Sequence, residues 1–147
     1  MRLRMGYPGA DEEREILRRA LGGYDAISVN PVLTRSEVVA LQALVPQVYV
    51  EDSVIDFILR IVTATRTEAE FRCGVSVRGS LALRSAAQAR ALARGRDFVV
   101  PEDVSSLVEP VFAHRLAPAR PTSDALEERR AVAAALKRLV GAIPAPA

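Results

Sequence analysis

The chain has 147 residues, half of them hydrophobic and 26% charged, and 20 Lys and Arg against 18 Asp and Glu leave a net charge of +2. That is material for one domain with its own core, too apolar for a disordered chain and too short for two ordinary domains. The single cysteine, Cys73, excludes an internal disulfide framework and a Cys-rich zinc site.

The pattern predicts helix after helix. Residues 11–21 open with Asp11, Glu12 and Glu13, which suit the positive end of a helix dipole. Ile16, Leu17, Ala20 and Leu21 follow at helical spacing, and Gly22-Gly23 is the expected stop. Thr34-Arg-Ser-Glu37 is a capping-box pattern ahead of the apolar run Val38 to Val45, which Pro46 ends. Residues 47–50 read as a short extended link. Asp52 or Ser53 caps the next helix, with Val54, Ile55, Ile58, Leu59 and Val62 as its inward face.

Residues 63–76 are polar and read as a loop. A long Ala/Leu helix is expected from Arg78 to Arg94, stopped by Gly95, and Phe98 to Val100 as a short extended piece. Pro101 opens another helix, helped by Glu102 and Asp103, with Val104, Leu107 and Val108 facing inward. Pro110 is expected to break it, leaving a separate turn from Val111 to Leu116. Residues 117–121 read as a linker, 123–140 as a last amphipathic helix, and the IPAPA tail as loose. The whole is an all-α, compact helical bundle with at most very short extended segments.

The sequence contains no Gly-rich phosphate loop ending in Lys-Ser/Thr, no G-x-G-x-x-G, no His-Glu-x-x-His and no Ser-centred elbow. No apolar run reaches the roughly 20 residues of a membrane span. No apolar stretch follows the basic start MRLRMGYPG, so a secretory signal is not expected and a cytoplasmic location is. One His and one Cys offer little for nucleophile–base catalysis. His114 reads as structural and Cys73 as an inert thiol. The residues alone therefore describe a helical binding, regulatory or structural module. One form is a stand-alone regulator that binds DNA, which a net charge of +2 argues against. Another docks on a protein through the last helix, although that helix could equally fold back on the bundle.

Three blocks extend the reading. Arg2-Leu-Arg-Met-Gly-Tyr-Pro8 precedes the acidic helix start at Asp11. Val48-Tyr-Val-Glu-Asp52 precedes Ile55, Ile58, Val62 and Thr65-Arg66. Gly74-Val-Ser-Val-Arg-Gly-Ser-Leu-Ala-Leu83 leads to Gly95-Arg-Asp-Phe-Val-Val-Pro-Glu-Asp-Val104 and Ala113-His-Arg-Leu116. In this order and spacing they resemble the C-terminal part of a MoxR-family AAA+ ATPase, over about residues 2–116. The resemblance implies the end of an ATPase core and a hinge at 1–10, a helical lid at 11–116, and a linker plus C-terminal helix at 117–147. Met1 then reads as an internal residue of a longer protein, with the ATP-binding core ahead of it.

Under this resemblance Gly74-x-Ser76-x-Arg78 matches the sensor-2 motif, whose arginine reaches the γ-phosphate of ATP. Arg78 would be the catalytic and phosphate-contacting residue. Gly74 and Ser76 would belong with it to the nucleotide-binding residues, Gly74 permitting the tight turn, and Gly79 would keep bulk away from the phosphate. Tyr7 and Pro8 would run past the adenine, Tyr7 packing near the base or simply filling the hinge. Val75 and Leu81 face either the nucleotide or the core. ATP and Mg are implied for the parent ATPase, with none held tightly by this piece alone and no metal site in it. The implied partners are the N-terminal core, neighbouring subunits of a hexameric ring and von Willebrand factor A-type proteins. The implied work is chaperone-like remodelling or maturation of client complexes, without nucleic acid.

Overall fold

A computed structural model describes residues 1–3, 5–20 and 30–146. The described residues form six α-helices and one 3₁₀ turn, and no sheet. Helix α1 spans Ala10–Ala20, α2 Arg35–Leu44, α3 Asp52–Thr67, α4 Val77–Ala93, α5 Pro101–Phe112 and α6 Ala125–Ala142. The 3₁₀ turn, Val45–Gln47, carries Pro46 and ends α2 as expected. The stop expected at Gly22-Gly23 lies outside the described residues. None of the described helices is long and apolar enough to cross a membrane.

The core lies among α3, α4, α5 and α6. Phe57, Ile61, Leu83, Phe112 and Leu136 are its largest buried apolar side chains. Helix α4 packs most extensively on α5, and α6 lies against both α3 and α5. Its Val132, Ala135, Leu136 and Leu139 are buried, so the last helix folds back on the bundle, and its apolar stripe is already covered. Val48, Val50 and Val99 seal one end. There Tyr49 and Phe98 form a single parallel bridge, and Gln88 Nε2 donates to the Val48 carbonyl at 2.7 Å.

Helix ends follow local chemistry. The capping box forms: Thr34 Oγ1 accepts from the Glu37 amide, and the Glu37 carboxylate accepts from the Thr34 amide at 2.7 Å. Helix α4 ends before Gly95, whose φ of +71° suits glycine.

Several expectations are corrected. Glu51, not Asp52 or Ser53, is the N-cap of α3, and it makes no side-chain cap; Asp52 is already in the first turn, where its charge meets the dipole. Helix α3 runs on to Thr67, through residues expected as loop, because Ile61, Val62 and Thr65 continue its buried face. Leu59 points to solvent at 51% exposure, and Phe57 takes the inward position. Pro110 does not break α5. It falls in the last turn, where it removes one hydrogen bond, and burial of Val111 and Phe112 holds the helix together. The linker after Leu116 is pinned: the Arg72 amide donates to the Ala117 carbonyl and the Ala119 amide to the Glu70 carbonyl, at 2.9 and 2.8 Å. In the tail, Ile143 packs against the core.

Candidate functional site

The segment from Thr65 to Leu81 brings most of the sequence-marked residues together. It joins the C-terminal end of α3 to the first turns of α4. Thr65 is buried, and its hydroxyl donates to the Val62 carbonyl at 2.7 Å and accepts from the Val75 amide at 3.1 Å. Arg66 Nε donates to the Val75 carbonyl at 3.0 Å. Both backbone groups of Val75 are thus bonded to α3. The Val75 side chain is buried at 1% exposure, so of the two readings offered for it the core is the right one.

Gly74 lies flat on α3. A Cβ built on it would stand 2.4 Å from Arg66 Cγ and 2.5 Å from Arg66 Cα, closer than any side chain tolerates. Glycine is needed here for close approach, not for a left-handed turn, since Gly74 is not among the described glycines of positive φ. Gly79 is buried, and a Cβ on it would meet Val75 Cγ1 at 2.4 Å. Glycine is needed here because the Val75 side chain occupies the space a Cβ would take.

Ser76 is the N-cap of α4, in extended conformation, and its side chain makes no cap. Its carbonyl accepts from the Gly79 and Ser80 amides at 2.8 and 3.2 Å. Arg78 is the second residue of α4 and is exposed. Its guanidinium makes no hydrogen bond or ion pair with the described residues. Val77 and Leu81 flank it at 68% and 58% exposure. The Gly79 and Ser80 amides being bonded, the first turn of α4 presents the exposed Arg78 guanidinium at the positive end of the helix, an arrangement suited to an anion.

Tyr7 and Pro8 are not brought to this turn by any contact. Tyr7 is fully exposed, and so is most of the segment around it. The N-terminal segment instead touches α5, where the Arg2 amide donates to the Pro110 carbonyl at 2.7 Å. His114 and Cys73 are exposed. Among the described residues no cluster of His, Cys, Asp or Glu converges as a metal site requires.

Sequence reasoning misses two features. Thr65 is visible in it only as part of a block, with nothing local to show that its hydroxyl serves a residue ten positions on. Asp103 is visible only as a dipole-favouring acid. In the fold it is fully buried, and Arg96 grips it with two arms at 2.7 and 2.8 Å. It also accepts from the Val100 amide at 3.1 Å, with Arg90 Nε 3.4 Å away. Burial alone would raise this carboxyl. The Arg96 and Val100 hydrogen bonds and the charges of Arg96 and Arg90 together outweigh it and hold the carboxyl below the ordinary aspartate value.

Comparison with known proteins identifies the family of the chain. The AAA lid domain family matches residues 63–136, which takes in the α3–α4 turn and runs past residue 116 into α6. The uncharacterized protein YeaC of Bacillus subtilis is 38% identical over 115 residues, covering 78% of this chain and 36% of that protein. Chaperone MoxR1 of Mycobacterium tuberculosis is 30% identical over 154 residues, covering 99% of this chain and 40% of its own length. A crystal structure from Cytophaga hutchinsonii, of a protein assigned as an ATPase, superposes with a TM-score of 0.79 over 97% of this chain and 45% of that one. Its sequence identity is 22%, so it speaks for the fold alone. The chain spans less than half the length of each of these relatives. It belongs to the AAA lid domain family and is related to the MoxR-family ATPases.

Proposed function

We propose that this chain is the nucleotide-sensing lid of a MoxR-like ATPase and that Arg78 reads the γ-phosphate. One observation carries the reading: the backbone ahead of Arg78 is locked to α3 at Val75, while the Arg78 guanidinium itself is exposed and unpaired among the described residues. A guanidinium so placed can form two parallel charge-assisted bonds to phosphate oxygens. ATP, with Mg, supplies the phosphoryl group that is transferred to water in the parent enzyme. Arg78 binds and orients that group and moves no proton. Gly74 and Ser76 set the turn that aims it, and Tyr7 and Pro8 form the hinge toward the ATPase core. Because α4 is packed into the bundle, making or breaking the phosphate bond at Arg78 moves the lid as a body.

In this reading the lid acts within a cytoplasmic hexameric ring, touching the neighbouring subunit. Its movement drives chaperone-like remodelling or maturation of client complexes, with von Willebrand factor A-type proteins as partners. The relationship to a protein named as a chaperone supports that direction. The test is turnover in the ATPase that carries this lid. Arg78→Ala should lower ATP hydrolysis by about tenfold or more, the scale of losing a preorganised charge contact. Thermal unfolding should stay unchanged, because an exposed, unpaired side chain contributes little. Arg78→Lys should fall between, keeping the charge and losing the fork. Unchanged turnover in Arg78→Ala would remove the sensor role.

A further inference from the structure

The α3–α4 turn contains a second device. Val75 sits three residues before Arg78, and its amide and carbonyl both bond to side chains of α3: to Thr65 Oγ1 at 3.1 Å and to Arg66 Nε at 3.0 Å. The Thr65 hydroxyl is fixed in turn, since it spends its own proton on the Val62 carbonyl at 2.7 Å. That leaves its oxygen as an acceptor aimed at one amide. Gly74 rests against the Arg66 backbone with no room for a methyl group, so the turn cannot slide along α3 without losing both bonds.

The Val75 amide belongs to the 74–75 peptide and its carbonyl to the 75–76 peptide, so the two bonds hold the two successive peptide units that flank the Val75 Cα. The second of these units leads into the extended Ser76 cap, and so into the direction in which α4 presents its second residue. Thr65 is 1% exposed and belongs to no ligating cluster among the described residues. Among the described residues its hydroxyl bonds only the Val62 carbonyl and the Val75 amide.

We propose that Thr65 and Arg66 are positioning residues for Arg78. They act through the Val75 backbone, and neither touches a ligand. The inference rests on Arg78 being the nucleotide-reading residue. It adds that α3, through a Thr-Arg pair, decides where that residue stands.

The test is a double-mutant cycle in the ATPase that carries this lid. Thr65→Val keeps the shape and removes the acceptor, and Thr65→Ser keeps the hydroxyl. Thr65→Val should lower ATP turnover on the order of tenfold, as misplacing a positioned group does. Thr65→Ser should restore most of it. A purely structural Thr65 would also lower the melting temperature, so stability alone does not decide. The deciding readout is the background. In Arg78→Ala the same Thr65→Val change should cost no further turnover, while its effect on melting persists. A full additional loss in that background would overturn the positioning role. So would a Thr65→Val enzyme with normal turnover beside an impaired Arg78→Ala enzyme. If Arg78→Ala itself is fully active, the sensor reading fails first and this inference with it. Should Thr65→Val not fold, Arg66→Lys removes the Nε donor from an exposed side chain and enters the same cycle with the same expected pattern.

Discussion

Replacing Asp103 by Asn tests how the α4–α5 connection is held. Asn keeps one oxygen, so the Val100 amide retains an acceptor. It loses the charge, and its NH₂ group faces the Arg96 fork donor to donor. Removing one partner of a buried ion pair costs about 3–5 kcal/mol. Here the Arg96 side chain is 23% exposed, so water can take up part of its lost bonding, whereas Arg90 Nε is buried. The expected net loss is about 2–3 kcal/mol. At roughly 2–4 °C per kcal/mol for a chain of this size, melting should fall by about 4–12 °C. The assay is thermal and urea unfolding of the 147-residue chain, followed by helical circular dichroism. The pH dependence adds a second reading. The folded Asp103 carboxyl titrates below its ordinary value. Its contribution is therefore full above about pH 4, the unfolded aspartate range, and is lost as pH falls through the lower folded value. The gap between the native chain and Asp103→Asn should narrow only in that acid window. A variant within about 0.5 kcal/mol of the native chain, the usual range for surface changes, would refute the buried-hub account. A gap that stays constant through the whole acid limb of the titration would refute the charge part of it.

Other outcomes follow from single contacts. Gly74→Ala forces a methyl group into the Arg66 backbone and should lower the urea midpoint, by about 1–3 kcal/mol if it behaves as other overpacked sites do. Phe57→Ala empties a position 1% exposed and should cost about 3–5 kcal/mol, while Leu59→Ala, two residues on and half exposed, should cost far less in the same titration. Thr34→Ala should leave the global midpoint nearly unmoved, because α2 buries no residue, yet speed amide exchange along α2. The Glu37 carboxyl is held below its usual range by hydrogen bonds from Thr34. Protection of α2 should accordingly be present near neutral pH and lost as pH falls through that lowered value.

Much of the fold could be read directly. The capping box at Thr34, the stop at Gly95 and the Pro101 start are local signals, decided within a few residues by hydrogen-bond geometry and backbone sterics. The resemblance to an ATPase lid was legible in the motif blocks, and the lid family match covers residues 63–136. What the sequence by itself determined was thus the helical class, the lid family, and most helix starts and stops.

Tertiary structure decided the rest, because burial and pairing are not local properties. Whether Thr63–Thr67 is loop or helix depended on Ile61, Val62 and Thr65 finding a core to face. Pro110 was tolerated because Val111 and Phe112 beyond it are buried. Gly79 is explained by Val75, Asp103 by Arg96, and the Thr65 hydroxyl by an amide on the turn leading to the next helix. In each case the deciding partner comes from another element or another turn, and only the folded chain brings the two within reach.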